Sequence, residues 1–115
     1  TSVFLATDGT NWYVLQTSGG IWVTKTGTYT AFPGDKIFAD TTGGIFTITL
    51  PASPSAGDEV RILDLANTFD ANTLTVGRNS EKIDGTAADL TVSTEGAAFS
   101  LVYSGSTYGW KLMEK

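Results

Sequence analysis

The sequence predicts an all-β domain, an antiparallel β-sandwich or a small jelly-roll-like barrel of many short strands. Three observations carry this. No window of about ten residues sustains the 3.6 period of an amphipathic helix. Short alternating or β-branched runs recur along the chain, separated by glycine and Asp-Gly turns. The third is the stretch from 45 to 65, which reads strand, turn, strand. Phe46, Ile48 and Leu50 share one face and threonine dominates the other. Pro51 and Pro54, with Ser53, Ser55 and Gly57, then break the ladder, because each proline lacks an N–H and fixes φ. The chain resumes from Glu59 to Leu65, apolar on both faces in places, as expected of a strand inside a core.

Taken in order, residues 1–24 form an N-terminal hairpin region. Asp8-Gly9 joins two short strands, and Ser18-Gly19-Gly20 turns into Ile21-Trp22-Val23-Thr24. Residues 25–32 are β-branched and aromatic enough for one strand, ended by Pro33-Gly34-Asp35. A short strand over 36–39 and a Thr-Thr-Gly-Gly turn lead into the central stretch. After it, residues 67–72 form a loop and 73–76 alternate. Leu90 and Val92 point inward on another strand. Phe99, Leu101 and Tyr103 share a face, and residues 110–112 close a last hairpin.

That last hairpin has an echo. Residues 4–15 and 101–112 both run apolar strand, glycine turn, aromatic strand ending in leucine. One reading makes the N-terminal hairpin the end of a preceding module, with residues 25–115 as the β-sandwich module proper. The other is that aromatic hairpins with glycine turns simply look alike. The chain starts at Thr1 with no signal-peptide pattern, which fits a processed protein or a piece of a longer one.

Composition narrows the function classes. At 115 residues the chain is one domain, with or without a fragment of a neighbour. Charged residues make up 17%, below the roughly 25% usual in soluble domains. Such a surface suits an extracellular or virion protein, or one partly covered in an oligomer. The net charge of −5 without a basic cluster argues against nucleic acid, and no apolar run is long enough to span a membrane as a helix. Histidine and cysteine are absent, which removes Ser-His-Asp and Cys-His catalysis and zinc sites of sulfur or imidazole. No phosphate-binding glycine loop is present, and no cofactor is expected.

A carboxylate pair is what remains for an enzyme. Asp58, Glu59 and Asp64 are the candidates. Glu59 and Asp64 fall on opposite strand faces, Asp58 suits a turn cap, and Asp64 suits an ion pair with Arg61, Arg78 or Lys82. No catalytic residue is assigned. Oxygen ligands for calcium exist in Asp35, Asp40, Asp70, Asn72, Asp84 and Asp89, but their spacing matches no EF-hand loop and no metal is assigned. The aromatics offer more. Trp12, Tyr13, Trp22 and Tyr29 are candidates for a subunit interface or a glycan contact, and Tyr103, Tyr108 and Trp110 belong to the same pool. Rings beside Asn, Asp and Thr can stack on sugars, although rings of this size in a small β-domain mostly serve cores and interfaces. Trp12 and Tyr13 are adjacent, so on a strand they face opposite ways.

Residues 48–112 resemble a module of tailed-bacteriophage virion proteins, mostly tail-fibre, tail-spike and head- or neck-fibre components. The resemblance is carried by LPASPSAGD at 50–58, NTLTVGRN at 72–79, and DLTVSTEGAAFSLVYSG with GWKL at 89–112. It implies a non-enzymatic, all-β structural or adhesive module of the phage particle surface. It also implies a homotrimer, contact with other virion proteins, and a host-surface glycan or receptor as a further partner. It carries no receptor motif to transfer. The alternative is a monomeric carbohydrate-binding or capsid-decorating domain that uses Trp12 or Trp22 for recognition.

Overall fold

The computed structural model describes residues 5–7, 12–14 and 21–113. Two short strands, β1 (Leu5–Thr7) and β2 (Trp12–Val14), pair antiparallel. Nine more follow: β3 (Trp22–Lys25), β4 (Tyr29–Thr30), β5 (Lys36–Ala39), β6 (Phe46–Thr49), β7 (Glu59–Asp64), β8 (Leu74–Gly77), β9 (Leu90–Val92), β10 (Ala98–Tyr103) and β11 (Trp110–Met113). They form a five-stranded sheet, β11-β10-β7-β5-β3, and a four-stranded sheet, β4-β6-β8-β9. The all-β expectation holds, as a two-sheet sandwich and not a closed barrel.

The expected antiparallel arrangement does not hold. From β3 to β8 the chain alternates between sheets with every strand, so β3, β5 and β7 stack in parallel in one sheet and β4, β6 and β8 in the other. Within these two sheets antiparallel pairing enters at the far end, where β9 returns along β8 and the β10–β11 hairpin joins β7. Parallel neighbours need a crossover of about a dozen residues, usually helical. Here a strand of the opposite sheet serves as the crossover. The turns therefore arch from sheet to sheet instead of reversing the chain within one. A proline- or glycine-bearing turn is needed in either case, so its residues do not reveal which it makes.

The same alternation splits the single strand expected over residues 25–32. β3 ends at Lys25, residues 26–28 cross over, and β4 begins at Tyr29 in the other sheet. The central stretch, strand–turn–strand as expected, is likewise an arch. Gly57 takes φ 98°, a region open to glycine and strained for other residues. On either side of the turn, Gly57 N–H donates to the Tyr103 carbonyl and Tyr103 N–H to the Asp58 carbonyl, both at 2.8 Å. The arch is thus stitched to β10.

The core follows strand parity. Ile37, Val60, Ile62 and Leu101 from one sheet meet Ile48, Leu50, Leu74 and Val76 from the other, all essentially without solvent contact. Each such side chain contributes about 1.5–3 kcal/mol by leaving water. Phe99, Leu101 and Tyr103 share the inward face of β10, as their alternation predicts. The outer face of the four-stranded sheet is threonine. Thr47, Thr75 and Thr91 lie in one cross-strand row and Thr30 and Thr49 in the next.

Candidate interaction surface

The loop after β7 shows how the sequence places its polar groups. Asp64 has the inward parity of Val60 and Ile62 and is 3% exposed. Its Oδ1 accepts from Thr68 N–H at 3.1 Å, and its Oδ2 from Phe69 and Gly96 N–H, each at 3.0 Å. Phe69 is fully buried beside it, and the Thr41 and Thr68 hydroxyls bond at 2.7 Å. The expected ion pair of Asp64 with a basic residue is replaced by backbone donors. Arg61 instead pairs with Glu59 at 3.2 Å, Arg78 reaches the Glu81 carbonyl, and Lys82 reaches the Thr107 carbonyl. Asp64 is a structural clamp between two loops.

Five further acids are also committed to local bonds. Asp58 accepts from Ser55 N–H at 2.8 Å, the turn cap expected of it. Asp35 binds Phe32 N–H and the Tyr29 hydroxyl. Asp40 binds both the hydroxyl and the N–H of Thr42, which hold its carboxyl below the usual range. Asp89 takes Arg78 N–H, Asp84 pairs with Lys111 at 3.1 Å, and the Asn72 amide donates to the Thr41 carbonyl. Among the described residues no three acids gather where a metal ion could sit.

The aromatic candidates separate. Trp22 lies on the outward side of β3, 38% exposed, stacked on Phe38 of β5 with ring centroids 4.9 Å apart and planes 13° from parallel. Tyr29 is half-buried against the core. Its hydroxyl donates to Asp35 at 2.8 Å, and the Lys25 ammonium sits 4.0 Å over its ring. Tyr103 and Trp110 are core residues with ring centroids 5.4 Å apart. The Tyr103 hydroxyl donates to Glu81, which holds its pKa above the usual value. Tyr108 is exposed. Trp12 and Tyr13 lie in β2, paired with Thr7 and Ala6. Their side chains, and so the opposite facing expected of them, lie outside the described residues.

Burial, the Asp35 hydrogen bond and the Asp35 charge push the Tyr29 hydroxyl up to about 12. The folded value exceeds the ordinary one near 10, so its stabilisation is complete below pH 10 and is lost as the pH rises through 12. Wild-type melting temperature is expected to fall more steeply than that of Tyr29→Phe over this window. Parallel curves for the two proteins would remove this role from the Tyr29–Asp35 pair.

Two surface features were not read from the sequence. The first is the uncovered run Ile21, Trp22 and Val23 at the β3 edge, with exposures of 61%, 38% and 37%. Three consecutive large apolar residues without alternation were its signal. The second is an apolar groove of about 350 Å³ where β9 and β11 end the two sheets, lined among others by Leu90, Val92, Phe99 and Leu112. No local pattern announces it, because it forms between strands of different sheets. Compared with known proteins, the chain matches no family model and no curated sequence.

Proposed function

We propose that this chain is a non-enzymatic structural and adhesive module of a phage virion fibre. In this reading it assembles as a homotrimer on the particle surface, packs against other virion proteins, and contacts the host surface. The observation that carries it is the uncovered Ile21-Trp22-Val23 run on an edge strand. Contiguous exposed apolar surface marks an association site, and an edge strand left apolar is a ready template for pairing. Two further features support the reading. Asp58, Asp64 and Glu59 are held in a turn, a clamp and an ion pair, an arrangement suited to a scaffold. The residues that carry the fibre resemblance are the ones that build the arch over 51–58, β8, β9 and the closing hairpin.

The solution mass tests it. Light scattering after gel filtration is expected to give about 36 kDa, three times 12.1 kDa. A mass near 12.1 kDa would overturn the trimer and favour a monomeric carbohydrate-binding or capsid-decorating domain. Trp22 gives that second reading its own observation, since a tryptophan held rigid by Phe38 and partly open to solvent is a ready platform for a sugar face. Quenching of tryptophan fluorescence by a glycan, lost in Trp22→Ala, would then identify it.

A further inference from the structure

The sandwich is open at both ends, and each end leaves core-facing apolar side chains at least partly uncovered. By strand order, β3 and β4 form one end and β11 and β9 the other. Val23 pairs with the fully buried Ile37 and so has inward parity, yet 37% of it meets solvent. Ile21, two residues earlier on the same side, is 61% exposed. Strand length explains this, since β4 has two residues and cannot roof the four of β3. At the far end Leu90 and Val92 pair with buried Val76 and Leu74, and Leu112 with buried Leu101. These three also face inward, and with Phe99 they line the groove of about 350 Å³. One end offers apolar side chains and the other a cavity for them.

We propose that the two ends bind each other in neighbouring copies of this chain. The β3/β4 end of one copy seats in the β9/β11 groove of the next, and both sheets continue across the contact. The contact rests on the assembly reading above and specifies its surfaces. Charge agrees with it. Lys25 stands over Tyr29 at the first end, and an inward-pointing charge on an edge strand blocks indiscriminate pairing. The groove end supplies an acid to meet it in the exposed Glu95, whereas Asp35 and Asp40 near Lys25 are bonded to Tyr29, Phe32 and Thr42. Pairing register agrees as well. Ala6↔Tyr13 in β1–β2 corresponds to Tyr103↔Trp110 in β10–β11, at matching places in the two echoing stretches. A hairpin of the β10–β11 kind thus precedes β3 in the chain, the same succession that stacking of copies produces in space. A contact between two different patches is heterologous, and it closes a ring of three when each contact turns the next copy by a third of a revolution.

Complementary variants test this. Val23→Glu spoils the first end and Thr94→Arg, at the exposed rim of the groove, spoils the second. Neither side chain is buried, and near-ultraviolet circular dichroism checks that both variants fold. Each alone is expected to dissociate, with the dissociation constant raised about tenfold or more. Mixed in equal amounts they are expected to form a two-protomer species of about 24 kDa, twice 12.1 kDa, because one intact end of each kind remains. Variants that keep the wild-type trimer mass overturn the contact and leave the trimer standing. A mixture that stays monomeric while wild type assembles also overturns it. Wild type that is itself monomeric removes both readings. Wild type that grows past three protomers with concentration supports the contact and overturns ring closure.

Discussion

Replacing Asp64 by alanine is expected to destabilise the fold by about 3–5 kcal/mol. Three backbone N–H groups, from Thr68, Phe69 and Gly96, lose their acceptor at once. Each buried donor left without a partner costs about 1–3 kcal/mol, and some of that is recovered where water reaches Thr68 and Gly96. Asn is the informative control. Its one carbonyl oxygen replaces part of the clamp, but its amide nitrogen turns a donor toward donors. Asp64→Asn is therefore expected to fall between wild type and alanine. Urea denaturation at one fixed protein concentration measures both. A loss below about 1 kcal/mol for Asp64→Ala would mean that the two loops hold without the clamp. The buried ring of Phe69 and the Thr41–Thr68 bond would then be what fixes them.

Gly109→Ala is expected to cost about 3 kcal/mol or more, for a different reason. Gly109 sits at φ 73°, where an L side chain already costs about 1–2 kcal/mol. Its added Cβ would also overlap the carbonyl oxygen of Lys82 and come within 2.8 Å of the Lys82 Cα. That carbonyl is the acceptor for Trp110 N–H at 2.8 Å, so the backbone cannot retreat without losing a bond beside the fully buried Trp110. The expected drop in melting temperature is about 10–20 °C. Gly105→Ala is the control, because it shares a positive φ of 122° but meets nothing within 4 Å. If both variants melt alike, backbone strain and not the Lys82 contact sets the cost at Gly109.

These two residues also show what was legible in advance. The sequence marks Asp64 as an acid in a core strand on the face opposite Glu59, but its partners lie up to 32 positions away in a loop that only folding brings near. Gly109 stands just before the last strand of the closing hairpin, and its contact with Lys82 depends on the bridge between Ile83 and Trp110. For the aromatics, size alone indicated burial or an interface. Whether Trp22 stacks on Phe38 or Trp110 enters the core is decided by the strand each one lies beside.

Strand positions, turn positions and inward faces follow from alternation and from proline and glycine, because these are local preferences of the backbone and of side-chain burial. Phe46, Ile48 and Leu50, and Phe99, Leu101 and Tyr103, point inward as the residues themselves dictate. The direction of each turn is not local. Trp22 pairs with Lys36 and Lys36 with Arg61, 14 and 25 positions apart, so the parallel stack carries no sequence period that could announce it. Whether a turn folds back within a sheet or arches to the opposite one depends on which distant strand is there to bury the next apolar face. The open ends, the groove and the exposed β3 edge are consequences of that choice, and only the tertiary structure makes it.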